Sequence, residues 1–189
     1  MEKGLEVHTI SQIDVLKGRS EVDLIKFRED IEKWIDTNDE KATYDPLTEG
    51  PSSQDDNLFT PESPYIDQVV DEMIEAFSRA TNRKLELVDH WVHIHTLNMS
   101  TERHHHYPHD VSGVFYVTVP PESGSLVMFP AFNKFHPDRI LFPPEEGVFL
   151  LFPAVLEHGV TRSNFPYPSK EKRISISFNF NNANRGPIK

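Results

Sequence analysis

The sequence predicts a mostly-β domain with N-terminal helices, in which two helices cover an antiparallel sandwich or barrel. Three observations predict it. Apolar residues recur at helical spacing only before residue 84. After it, six short segments alternate or run apolar between Pro, Gly and Asn turns. No helical pattern separates those segments, and successive short strands close into sandwiches or barrels.

The first helix is predicted over about residues 21–36, with Ser20 as its cap and Asp23 three residues on, near capping-box spacing. Leu24, Phe27, Ile31, Trp34 and Ile35 form its apolar stripe. The second follows Ser63, a cap, and Pro64, whose missing N–H costs nothing at the first helical position. Ile66, Val69, Val70, Met73, Ile74 and Phe77 then recur at helical spacing, which reads as core packing. Between the helices, "DTNDEKATYDPLTEGPSSQDDNLFTPESP" is polar, turn-rich and aperiodic. It reads as a long connecting loop, with a lid over 37–62 as the functional alternative.

The strands are "KLELVDHWVHIHTL", "VSGVFYVTV", "GSLVMF", "RILF", "GVFLLF" and "RISISFNF". In the first, Trp91, His93 and His95 share one side and Val92, Ile94 and Thr96 the other. The expected organisation is a single domain over 1–189. Residues 1–84 supply an N-terminal strand, two helices and the loop; residues 85–182 supply the β core.

Composition narrows the chemistry. With no cysteine, disulfides, zinc–cysteine knuckles and thiol nucleophiles are excluded, so a metal must be held by His and carboxylates. The net charge of −11 sits almost wholly in residues 1–90, with 22 acidic against 10 basic side chains; residues 91–189 hold 8 and 9. That balance argues against a nucleic-acid backbone as the main partner, while the C-terminal half can accept a small anion. No apolar run matches a membrane span and no secretory h-region opens the chain, so a cytoplasmic protein is expected.

The densest chemistry is "TERHHHYPHDVSG" at 101–113, with four of the ten histidines within six residues. An internal cluster that runs into a strand is a poor tag. If extended, it points His104 and His106 the same way, with Cα atoms about 7 Å apart, and His105 the other way. Two imidazoles make a weak site. The best third donor is His158 in "GVFLLFPAVLEHGV", although a lone histidine there also suits a structural hydrogen bond. In "KEKRISISF", Arg173, Ser175 and Ser177 share a face opposite Ile174, Ile176 and Phe178. Arg173 can hold a carboxylate through two parallel bonds, with Ser175 adding a third; the plain alternative is an edge arginine paired with a surface Glu. The Tyr116 phenol can reach the same anion or serve as core.

These residues carry a resemblance. "HHHYPHDVSGVFYV", "GSLVMFP", "PPEEGVFLLFPAVLEHGV" and "RISISFNF", in this order and spacing over about 88–180, resemble the 2-oxoglutarate/Fe(II)-dependent oxygenases. The nearest group is one found in marine bacteria and their phages. The resemblance implies a double-stranded β-helix (jelly-roll, cupin-like) core. It implies Fe(II), O2 and 2-oxoglutarate as co-substrate, with oxidation, usually hydroxylation, of a peptidyl or small-molecule substrate and release of succinate and CO2. It places His104, His106 and His158 at the metal and Arg173 and Ser175 on the far carboxylate of 2-oxoglutarate, with Tyr116 assisting. His106 falls where the family usually has a carboxylate, so zinc can compete and Asp110 is the nearest substitute. His93 and His95, on the strand before the cluster, are candidates to line the pocket, supporting the metal ligands or donating to the co-substrate, and equally candidates for structural residues. The rival readings are a cupin-type metalloenzyme on the same barrel, whose motifs Asp110 and "PAVLEH" fit poorly, a zinc hydratase or hydrolase, which leaves Arg173 unexplained, and a non-catalytic jelly-roll binding module.

Overall fold

The computed structural model describes residues 13–38, 43–45, 50–52, 63–130, 139–165 and 170–183. Its elements follow in chain order: β1 (Leu16–Arg19), α1 (Leu24–Asn38), β2 (Thr43–Asp45), β3 (Gly50–Ser52), α2 (Pro64–Thr81), β4 (Leu85–His95), β5 (Thr101–His104), β6 (Val111–Thr118), β7 (Leu126–Met128), β8 (Ile140–Phe142), β9 (Val148–Pro153), β10 (His158–Val160) and β11 (Arg173–Asn182).

Two antiparallel sheets result, a seven-stranded one in the order β1-β9-β6-β11-β4-β3-β2 and a four-stranded one in the order β5-β10-β7-β8. This is the predicted mostly-β, double-stranded β-helix architecture with helices against it. The period-2 pattern of β11 explains the layering. Ile174, Ile176, Phe178 and Phe180 pack in one core with Phe27 and Ile31 of α1 and Ile66, Val69 and Met73 of α2. The opposite face carries Arg173, Ser175, Ser177 and Asn179. A second core of Val114, Tyr116, Leu126, Met128, Leu150 and Phe152 joins residues of both sheets. The large sheet is thus covered by helices on one side and carries polar residues on the other.

Three local expectations are corrected. Asp23, not Ser20, caps α1: its carboxylate accepts the Lys26 N–H at 3.2 Å and its carbonyl accepts the first helical bond from Phe27. Ser20 instead turns the chain, its hydroxyl accepting from Val22 N–H while its own N–H bonds Gly147 O. At α2, Ser63 has the extended backbone of a cap and Pro64 follows, but its side chain makes no capping bond. Its hydroxyl donates to Asp30 of α1 at 3.1 Å, joining the two helices.

The inter-helix segment is not loop throughout. β2 and β3 pair as a hairpin, and Ser52 of β3 lies opposite His93 of β4. α1 also runs to Asn38. The rest of the 37–62 lid proposal lies outside the described residues.

Candidate metal centre and anion pocket

β5 and β10 bring the histidines together. His158 lies directly opposite His104 in the strand register and opposite Met128 on its other side, so it is central in the small sheet. His106 lies just past β5, where its N–H bonds Ala154 O at 2.8 Å, tying it to the turn that leads to His158. Close backbone approach between β5 and β10 depends on Gly159. A Cβ there would stand 2.7 Å from Thr101 O and 3.1 Å from Glu102 O.

One nitrogen from each of His104, His106 and His158 falls within 4.8 Å of the others. The His104 and His106 Nε2 atoms are 3.0 Å apart, which matches two ligands at right angles on bonds of about 2.1 Å. Two of the three donors are in the ligating tautomer, while His106 Nε2 donates to His104 Nε2 and would have to give up that proton to a metal. His104 Nδ1 donates to Glu102 O at 2.7 Å and His158 Nδ1 donates to Leu156 O at 2.8 Å, which leaves both Nε2 atoms bare. Burial, with the neighbouring His104, lowers the His106 pKa to about 4 and the His158 pKa to about 3. Both rings are neutral at pH 7, as metal ligands must be. Asn179 hydrogen-bonds His106 and opposes that shift, and its side-chain oxygen also accepts from Ser112 at 3.2 Å. Trp91 stacks on His106 with centroids 5.4 Å apart, and the Phe152 ring meets His158 edge-on at 4.8 Å. These residues therefore fit a divalent first-row ion bound by imidazole.

The predicted outsiders are also placed. His105 is exposed, as the strand alternation predicts. The Asp110 carboxylate accepts the Asn182 N–H at 2.9 Å, at the far end of β11. It does not join the group, and among the described residues the metal-competent cluster contains no carboxylate.

Arg173 is not an edge residue. β11 lies between β6 and β4, and Arg173 is 1% exposed. Its Nη1 donates to His95 Nδ1 at 2.9 Å, and its guanidinium carbon is 5.2 Å from the centre of the Tyr116 ring. Because arginine only donates, His95 must carry its proton on Nε2, which donates to Thr101 Oγ1 at 3.0 Å. Burial, then Arg173, lowers the His95 pKa to about 3, so His95 cannot become a second cation near neutral pH. No acidic side chain among the described residues pairs with Arg173. Arg173 Nε and the Tyr116 hydroxyl are both buried and, among the described residues, meet no partner in good hydrogen-bond geometry, although guanidinium and phenol lie close enough to interact with each other. Burial raises the Tyr116 pKa above its usual value, so the phenol keeps its proton for donation.

A cavity of about 40 Å3 is lined by both groups, with His104, His106 and His158 at one part and His95, Arg173 and Ser175 at another. Sequence reasoning missed Asn179 and Thr101. The β11 alternation Arg173, Ser175, Ser177, Asn179 could have found the first. Thr101 shows itself only through the tertiary approach of β5 to β4.

Comparison with known proteins follows the same outline. Residues 89–179 match the family model described as "Putative 2OG-Fe(II) oxygenase". No curated protein matches the chain. Among solved structures, a Pseudomonas putida prolyl-4-hydroxylase is similar at 17% identity, covering 91% of this chain and 93% of that one, with a TM-score of 0.61. The viral collagen prolyl hydroxylase of Paramecium Bursaria Chlorella virus-1, in its 2-oxoglutarate complex, gives 13%, 88%, 94% and 0.62. HygX from Streptomyces hygroscopicus, with nickel and 2-oxoglutarate bound, gives 15%, 88%, 82% and 0.62. At these identities the likeness is one of fold.

Proposed function

Through residues 89–179 this chain belongs to the 2-oxoglutarate/Fe(II)-dependent oxygenases, and on that premise we propose that it hydroxylates a peptidyl or small-molecule substrate. One observation carries the reading of the site: a buried guanidinium, without an acidic partner among the described residues, shares a cavity with three converging imidazoles. A buried cation of this kind is costly unless an anion completes it. 2-Oxoglutarate offers a carboxylate for Arg173 and a 2-oxo acid for a metal.

In this reading His104, His106 and His158 hold Fe(II), which when bound supplies the oxidising chemistry with O2. Arg173 binds the far carboxylate of 2-oxoglutarate bidentately. Ser175 and the Tyr116 hydroxyl add donors to it. His95 fixes the guanidinium plane by accepting from Nη1. Trp91 and Phe152 exclude water and hold the His106 and His158 rings in place. Asn179 hydrogen-bonds the His106 ring and holds its orientation toward the other two imidazoles.

The test is substrate-triggered succinate release with Fe(II), 2-oxoglutarate and O2, across a panel of peptides and metabolites. The prolyl hydroxylases among the fold relatives make proline-containing peptides the first set to assay. Succinate formation abolished by His158→Ala and weakened by Arg173→Met is the expected result. Metal binding without any 2-oxoglutarate binding, with hydrolysis of an ester by the zinc form, contradicts the proposal and supports a zinc enzyme.

A further inference from the structure

His93 has no assigned part in the site described so far, and its protonation is fixed by its neighbour. Trp91 Nε1 donates to His93 Nε2 at 2.6 Å. Indole nitrogen is a donor only, so His93 Nε2 is the acceptor and the neutral ring carries its proton on Nδ1. That Nδ1 is buried and has no hydrogen-bond partner. Burial, reinforced by His95 and Arg173, holds the His93 pKa well below that of an ordinary histidine, so neutrality is the resting state. A buried, unsatisfied N–H in the wall of a ligand cavity is a donor waiting for an acceptor.

The register says where the acceptor comes from. β4 and β11 pair as three rungs facing the cavity: His95 with Arg173, His93 with Ser175, and Trp91 with Ser177. Arg173 stands at one end. Trp91, stacked on His106, stands at the metal end. His93 lies between, its ring centroid 6.0 Å from that of His95. An extended five-carbon diacid has its carboxyl carbons about 5 Å apart. With its far carboxylate on Arg173, its other carboxylate falls at the His93 rung.

We propose that His93 Nδ1–H donates to the metal-side carboxylate of 2-oxoglutarate, with Trp91 as the residue that locks the donating tautomer. This rests on the reading of the site as a 2-oxoglutarate pocket. It makes His93 a second anchor for the co-substrate, at the opposite end from Arg173.

The test measures the Kd of 2-oxoglutarate by calorimetry on the Fe(II)-loaded protein without oxygen. His93→Asn places an amide N–H at the Nδ1 position and should bind within about threefold of wild type. His93→Gln places its amide at the Nε2 position, satisfies Trp91 and lacks the inner donor. It should weaken binding about ten- to a hundredfold, as should His93→Leu. Levulinate, which keeps the keto group and far carboxylate but has a methyl in place of the metal-side carboxylate, should bind all four proteins equally. A purely structural role for His93 predicts the reverse order, with Gln tolerated and Asn not, and overturns the proposal. Tighter binding by His93→Leu also overturns it, because the ring would then be a plug. If the wild-type protein binds no 2-oxoglutarate, the function reading itself fails; if it binds and all variants match it, only the role of His93 fails.

Discussion

Arg173→Met removes the charge while filling most of the volume, and two opposed consequences can be worked from the site. For the ligand, the far carboxylate loses a buried, charge-assisted, two-bond anchor. Truncating such a pair costs about 2–5 kcal/mol, or roughly 30- to 5000-fold in Kd. For the fold, the account differs. The guanidinium has no acidic partner among the described residues, so its loss relieves a desolvation cost of several kcal/mol. Against that, His95 Nδ1 loses the Arg173 donor, at about 1–3 kcal/mol. The ligand-free variant should therefore melt within about 4 °C of wild type or above it. Calorimetry with 2-oxoglutarate and a thermal melt of the same sample read both quantities. Unchanged affinity would refute the anchor, and a variant that fails to fold would show Arg173 to be structural.

Other parts of the site give independent expectations. Gly159→Ala drives a methyl into the Thr101 and Glu102 carbonyls and should cost about 1–3 kcal/mol; a denaturant midpoint checks this, and metal affinity should fall with it as β5 moves off β10. Asn179→Ala frees the outer side of His106 and should weaken metal binding about 10- to 100-fold, read by competition with a chromophoric chelator. Arg103→Ala breaks an exposed ion pair to Glu157 beside His158, so stability should change by about 1 kcal/mol or less. The folded pKa of His95, about 3, lies below its unfolded value, so the unfolded chain protonates first as pH falls. Stability is then full above about pH 6.5 and declines toward pH 3, by up to ~1.4 kcal/mol per pH unit from this ring. His95→Asn should flatten urea-midpoint profiles of the metal-free protein between pH 6.5 and 4; an unchanged slope contradicts the assigned protonation.

What was legible in the sequence divides along physical lines. Period-2 alternation placed Trp91, His93 and His95 on one face of β4, and Arg173 and Ser175 on one face of β11, because a pleated strand allows no other arrangement. Helical spacing likewise gave the buried stripe of α2. His158 was singled out as the best third donor from its place after a buried strand, and the resemblance placed it at the metal, but its register opposite His104 depends on backbone pairing that a single sequence does not display. The cap of α1 was misread, and the cap of α2, placed correctly at Ser63, lacks its side-chain bond, for a related reason. Ser20 and Ser63 compete with neighbours brought close by tertiary packing: the Ser20 N–H bonds Gly147 O, and Ser63 gave its hydroxyl to Asp30. Asp110 is engaged by a backbone N–H at Asn182, 72 residues away in sequence, a pairing that no spacing within 101–113 displays.

An anaerobic optical titration with Fe(II) and 2-oxoglutarate tests the central claim most directly. The three-histidine centre and the Arg173 pocket should act on one ligand. A visible charge-transfer band should appear only when both components are present, vanish in His158→Ala, and require far more 2-oxoglutarate in Arg173→Met. A band absent from the wild-type protein, or one whose 2-oxoglutarate dependence ignores Arg173, would contradict the account.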